Sequence, residues 1–145
     1  MQMVRRIGAF VEDSRRPIIL KSLFGPDCNY DALDWKPFRK GIEIVRLYGT
    51  PHLGASAALL RYEPGATLPH HSHTGYEHII VLSGSQIDDN GRHNEGAVII
   101  NPPGSGHSVS NEHGCVVLAI WEHPVVFSEI IPEPAPKGPI MRIAK

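Results

Sequence analysis

With 145 residues and a net charge of −1, histidines taken as neutral, the chain is sized for one domain. Its balanced charge supplies no basic face for nucleic acid or an anionic membrane surface. No run of about eighteen apolar residues is present to form a membrane span.

The first seventeen residues show no period. Ile7 to Val11 is too short for a secretory core, so a cytoplasmic location is expected by default. Ile18 to Leu23 is a short apolar run read as a strand, and Phe24 to Asp34, with Gly25, Pro26, Asp27 and Asn29, as a loop. Trp35 to Phe38 suits a strand edge or flap. Gly41 to Tyr48 alternates imperfectly and Ala55 to Tyr62 is apolar; both read as strands. Cys28 and Cys115 are far apart in sequence, and Cys115 reads as a small buried hydrophobe.

The central stretch runs from Gly65 to Asn111. His71 and His73 are two apart, so on a strand they share a face. Thr74-Gly75 can bend the chain, and Glu77 opens the apolar run His78 to Leu82. On that strand Glu77, Ile79 and Val81 point inward and His78 outward. His107 arrives later, after Gly104 and Gly106, which free the backbone to turn. Imidazole suits zinc, copper, iron and nickel, and a carboxylate adds a harder oxygen ligand. Taken on the His-x-His pair alone, a histidine-rich surface loop explains the pattern equally well.

Asp88-Asp89-Asn90-Gly91 marks a hairpin turn. Ala97 to Ile100, His107 to Ser110 and Cys115 to Trp121 are further strands. Many short strands with Gly/Pro turns indicate an all-β sandwich or barrel. Three of these runs, His78 to Leu82, Ala97 to Ile100 and Val116 to Trp121, do not alternate, so both their faces are expected to be covered. The cover would be another layer of the fold, a terminal arm or a second subunit, and a homodimer is expected. From Pro124 the chain carries five prolines in sixteen residues and reads as an extended tail whose first half docks.

The longer pattern resembles the cupin superfamily. Gly65, His71, His73, Glu77 and Gly84 fill its first motif, and Gly96, Pro102, Gly104, His107 and Asn111 its second, with every spacing kept. The flanks Leu59 to Gly65, Asn101 to Gly104 and Gly114-Cys115 are similar to the ChrR-type branch. The resemblance implies a cupin double-stranded β-helix, or jelly-roll barrel. It also implies one divalent metal ion held by His71, His73, Glu77 and His107, and often a dimer.

The chain is thus expected to be a single cupin domain over 1–145, with an arm to about 34, a core over about 35–123 and a tail over 124–145. Its ion would be Fe, Zn, Ni or Mn, with Fe or Zn favoured. Two functions remain open. One is a small-molecule dioxygenase-like oxidoreductase, with no catalytic residue beyond the metal centre identified. The other is a zinc-binding regulatory, sensor or ligand-binding cupin related to the ChrR C-terminal domain, although no zinc-finger pattern precedes the barrel and Cys28 is the sole upstream cysteine. His70, His78, His93 and His113 are expected to lie off the site, with His93 and His113 exposed. Tyr76, Trp121 and His123 can line the pocket or simply pack. Ligation needs neutral imidazole, so metal affinity should fall as pH drops through the histidine range.

Overall fold

The computed structural model describes residues 15–50 and 53–128. Its ten strands are β1 (Lys36–Arg39), β2 (Ile42–Tyr48), β3 (Ser56–Tyr62), β4 (Thr67–His73), β5 (Glu77–Asp88), β6 (Gly91–Asn94), β7 (Val98–Asn101), β8 (Gly106–Ser110), β9 (Cys115–Trp121) and β10 (Val125–Phe127). The one helical element among the described residues is a single 3-10 turn, Tyr30–Ala32, and none of their helices is long and apolar enough to cross a membrane. The all-β expectation therefore holds.

The strands form one curled sheet in the order β1-β2-β3-β9-β5-β8-β4-β10, with β6 and β7 paired to β5. All pairs are antiparallel. Strand β5 is the hinge of this curl. Its first half lies between β9 and β7, and its second half pairs with β6 and touches β8. The change comes at a register irregularity between Val81 and Ser83, beside Gly84 at φ 73°. A Cβ at Gly84 would collide with the Gly114 carbonyl oxygen, so only glycine fits the bend.

Curling turns one face of the long strands inward. Ile42, Ile44, Leu60, Tyr62, Leu68, Ile79, Val81, Val109, Val117 and Trp121 fill this interior. Full burial of an aliphatic side chain contributes about 1.5–3 kcal/mol, so this interior dominates the stability. Val45, Leu59, Leu82 and Val116 lie on the opposite face, where Leu23, Tyr30, Leu33 and Trp35 pack over them. Trp35 donates its indole N–H to the Tyr30 carbonyl at 2.7 Å, and the Tyr30 hydroxyl donates to the Leu23 carbonyl at 2.8 Å. A segment before the barrel thus supplies part of the second layer that the non-alternating strands required. Further along that face Val98 and Ile100 stay 61% and 55% exposed.

One difference from the sequence reading concerns the segment before the barrel. Ile18 to Leu23 is not a strand: Ile19 is exposed and no neighbouring strand pairs with it, so its apolar run has no ladder to join. The docking expected of the tail does occur, through β10, which pairs with β4 at Val125↔His73 and Phe127↔His71. The rest of the tail, from 129 onward, lies outside the described residues. Cys28 and Cys115 are both free, and burial pushes the Cys115 thiol up to about 12.

Candidate metal centre

The four expected residues come together inside the barrel. His71 and His73 project from one face of β4, and His107 on β8 stands opposite His71 in the ladder. This close approach depends on Gly106, where a Cβ would come within 2.9 Å of the His71 carbonyl oxygen. Two backbone bonds lock the β4 end: His73 N–H to the Ser105 carbonyl, and Gly104 N–H to the His73 carbonyl, both 2.8 Å. Glu77 begins β5 across the Thr74-Gly75 bend. All four side chains are buried, and one donor atom from each lies within 4.8 Å of the others.

Hydrogen bonding fixes which imidazole nitrogens face each other. His71 Nδ1 lies 3.0 Å from the Pro69 carbonyl, which can only accept, so Nδ1 carries the proton and Nε2 is bare. His73 Nδ1 lies 2.9 Å from Ser105 Oγ, whose own hydroxyl proton goes to the Pro102 carbonyl at 2.6 Å. Ser105 therefore accepts from His73, and His73 Nε2 is bare as well. His107 Nδ1 faces Asp88 Oδ2 at 3.4 Å. Three Nε2 atoms turn toward one another: those of His71 and His107 are 3.0 Å apart, and those of His73 and His107 lie 3.1 and 3.6 Å from Glu77 Oε1.

Such a set lacks positive charge. Among the described residues no Lys or Arg pairs with Glu77, and His73 Nε2 is buried with no hydrogen-bond partner. A buried carboxylate among imidazole lone pairs is costly without a cation. A divalent ion at their common centre satisfies all four, and the group can hold one. Burial lowers His71 to about 4 and also lowers His107, so both are neutral and ready to ligate near neutral pH.

The partners of Glu77 come from its two neighbouring strands. Asn101 of β7 and Trp121 of β9 are its register partners on either side. Asn101 Nδ2 donates to Oε1 at 2.9 Å, and Trp121 Nε1 donates to Oε2 at 2.7 Å. Each oxygen keeps a lone pair for a further bond, and its direction is set by two donors rather than by solvent.

A cavity of about 30 Å³ adjoins the cluster, walled mainly by Phe38, Leu60, Ile79, Val109, Trp121 and Phe127. Its volume suits roughly two water molecules. Tyr62 and Gln86 also line it, are 3% and 1% exposed, and make no side-chain hydrogen bond among the described residues. Phe127 lies 5.4 Å from the His71 ring between centroids, and the Arg39 guanidinium lies 3.8 Å over the Phe127 ring. The start of the tail thus closes the site.

Other sequence candidates separate cleanly. Ile79 and Val81 are buried with Glu77, while His78 lies on the other face, half-buried. His70 is exposed and bonded to Ser128 Oγ, and His113, His123 and Tyr76 are exposed. Trp121 is the one of the pocket candidates that reaches the cluster. His93 is a correction: it is 19% exposed in its side chain, because Asp88 Oδ1 draws its Nε2 to 2.8 Å. The sequence pattern does not mark Asp88, Asn101, Ser105 and Phe127 as parts of the site, although Asn101 and Ser105 lie within the second motif.

The family model described as ChrR Cupin-like domain matches residues 27–124. The anti-sigma-E factor ChrR of Cereibacter sphaeroides is 28% identical over 135 residues, covering 91% of this chain and 61% of that protein. The crystal structure of Rhodobacter sphaeroides SigE in complex with the anti-sigma ChrR superposes with a TM-score of 0.57 at 27% identity, over 64% of this chain and 51% of the other. This chain therefore spans about three fifths of its curated relative. A putative acetylacetone dioxygenase from Methylibium petroleiphilum shares the fold, with a TM-score of 0.65 at 16% identity over 88% and 91% of the two chains.

Proposed function

Because the chain belongs to the ChrR Cupin-like domain family, we propose that His71, His73, Glu77 and His107 bind one divalent metal ion and that the bound centre is a small-molecule, dioxygenase-like oxidoreductase. The observation that carries this reading is the convergence of three imidazole Nε2 atoms and a carboxylate beside an apolar cavity. Four protein ligands leave coordination positions for exogenous molecules on an ion that takes five or six. Fe(II) or Zn(II) fits the nitrogen-rich set. Bound iron would supply redox chemistry for oxidative C–C cleavage with O₂ as the oxidant, both oxygen atoms entering the products.

The chain's own residues would do the rest. Asn101 and Trp121 aim the Glu77 carboxylate. Leu60, Ile79, Val109 and Phe127 exclude bulk water. The Tyr62 hydroxyl and Gln86 amide are the polar groups available to an oxygen of an enolate or diol. The cavity has room for roughly two waters, so an organic substrate would need the wall to which β10 contributes Val125 and Phe127 to shift.

The small cavity specifically favours a second reading. A zinc-holding regulatory or ligand-binding domain needs no room for an organic substrate, and the relative of known role is an anti-sigma factor. One experiment separates the two: metal analysis of anaerobically purified protein together with O₂ uptake over β-diketones, catechols and hydroxyketones. Iron with substrate-dependent O₂ uptake supports the oxidoreductase. Tightly held zinc without uptake rejects it in favour of the regulatory domain.

The assembly we propose is a homodimer formed by one single-domain chain of 1–145 and its copy. The exposed pair Val98 and Ile100 lies beside His78, Ile80, Leu118 and Ile120 on the outer face of β5, β7 and β9, a largely apolar strip interrupted by His78. Light scattering at micromolar concentration should give twice the chain mass, and the monomer mass for Ile100→Asp. A monomeric native chain would refute the dimer.

A further inference from the structure

The three imidazoles of the cluster are backed differently on Nδ1: His71 by a carbonyl, His73 by a hydroxyl, and His107 by the only carboxylate, Asp88. Asp88 ends β5, on the far side of the bend at Gly84 from Glu77, and its side chain is 0% exposed. Its Oδ1 is occupied, accepting from the Asn90 backbone N–H at 2.8 Å and lying 2.8 Å from His93 Nε2. Its Oδ2 is not occupied. Asp88 Oδ2 and His107 Nδ1 are both buried atoms without a hydrogen-bond partner, and they face each other at 3.4 Å. One can only accept and the other can donate, so a small approach satisfies both.

We propose that Asp88 is a positioning residue that keeps the His107 proton on Nδ1, leaves Nε2 bare toward the cluster, and makes His107 the strongest donor of the three imidazoles. This rests on the reading that the cluster holds a metal ion. A carboxylate behind a ligating imidazole fixes its tautomer and raises its basicity more than a neutral acceptor does. The neutral partners of His71 and His73 fix the tautomer without that increase. His93, joined to Asp88 Oδ1, holds the carboxylate from the solvent side.

Two substitutions have opposite effects on metal binding and folding. In Asp88→Asn the amide oxygen stays with the Asn90 N–H, the tighter contact, and the NH₂ turns to His107. A donor there forces His107 to accept on Nδ1 and to carry its proton on Nε2, the atom that must be bare. In Asp88→Ala no donor faces Nδ1, so the ion competes for Nε2 only with the 3.0 Å contact to His71 Nε2, but the turn loses its bond to the Asn90 N–H. A purely structural Asp88 would make alanine worse on every readout.

The test compares the full-length chain with Asp88→Asn, Asp88→Ala and Ser105→Ala. Zinc affinity is read by competition with a chromogenic chelator, melting temperature on metal-free protein, and the His107 tautomer by nitrogen NMR. The expected result is a zinc affinity about 100-fold weaker for Asp88→Asn and about 10-fold weaker for Asp88→Ala or Ser105→Ala. Melting temperature should run the other way, with Asp88→Ala below Asp88→Asn. His107 should carry its proton on Nδ1 in the metal-free native chain and on Nε2 in Asp88→Asn. Zinc affinity unchanged in Asp88→Asn, or alanine worse in both affinity and melting, would overturn the proposal. So would an Nε2 proton on His107 in the native chain. The tautomer is read without metal, so a native chain that fails to bind zinc would reject the metal centre while Asp88 is judged separately.

Discussion

Trp121 and Glu77 face each other across the β9–β5 ladder, and the indole N–H donates to the carboxylate at 2.7 Å. The bond ties the end of β9 to the first residue of β5, where the cluster begins. Replacing Trp121 by Phe keeps most of the apolar wall but strands a buried carboxylate oxygen. Leaving such a group unpaired costs about 1–3 kcal/mol, and loss of a ligand's orienting partner weakens metal binding about 10- to 100-fold. Chelator competition and urea denaturation of Trp121→Phe should show both. A variant with native metal affinity would show that Asn101 alone orients Glu77.

The bend in β5 predicts a backbone effect. Gly84→Ala places a Cβ against the Gly114 carbonyl at a φ of 73°, where two neighbouring strand ends close the barrel. Strain at a positive φ and displaced backbone together should destabilise by at least about 2 kcal/mol. Gly91 is also at positive φ, but a Cβ there would have nothing within 4 Å, so it provides the comparison. Gly91→Ala should cost clearly less in the same urea titration, and equal losses would remove the steric argument.

Burial of His71 gives a pH dependence with a definite sign. Its folded pKa is lowered to about 4, against about 6.5 in an unfolded chain. As pH falls below about 6.5 the unfolded chain takes up a proton that the folded one refuses. The metal-free protein therefore loses stability between about pH 6.5 and 4, by roughly 3 kcal/mol for His71. His71→Gln should lack this part of the profile, and identical profiles for the two proteins would contradict it. Because His71 and His107 both stay neutral below the ordinary histidine value, metal release should begin at lower pH than exposed imidazoles would give.

Metal removal should lower the melting temperature. An ion that binds only the folded chain adds about 2.7 kcal/mol at a free concentration 100 times its dissociation constant. For a domain of this size that corresponds to a shift of roughly 6–10 °C. Calorimetry before and after chelation, with zinc restored as control, measures it; an unchanged midpoint would mean that the folded chain gains nothing from the ion.

The cluster was legible because its spacing encodes geometry. Two residues apart on β4, His71 and His73 had to share a face, and the same alternation placed Glu77, Ile79 and Val81 inward and His78 outward. What backs the cluster was not legible. Asp88 reads as a turn residue, and it meets His107 only because β5 continues past Gly84 into the other half of the curl. Trp121 and Asn101 meet Glu77 through strand register, which pairing rather than pattern decides. Ile18 to Leu23 has strand composition but no neighbour to pair with, so composition misleads there. Phe127 follows a proline-rich boundary, and nothing local shows that it returns to His71.

The most direct measurement is elemental analysis of the chain purified without oxygen, alongside His73→Ala. His73 is the proposed ligand whose Nε2 is buried and without a hydrogen-bond partner, so its loss would remove a donor and leave a hole at the cluster. One equivalent of iron or zinc in the native chain, with a near-complete loss in the variant, is the expected result. A native chain without metal, or a variant that keeps its full equivalent, would contradict the four-residue centre.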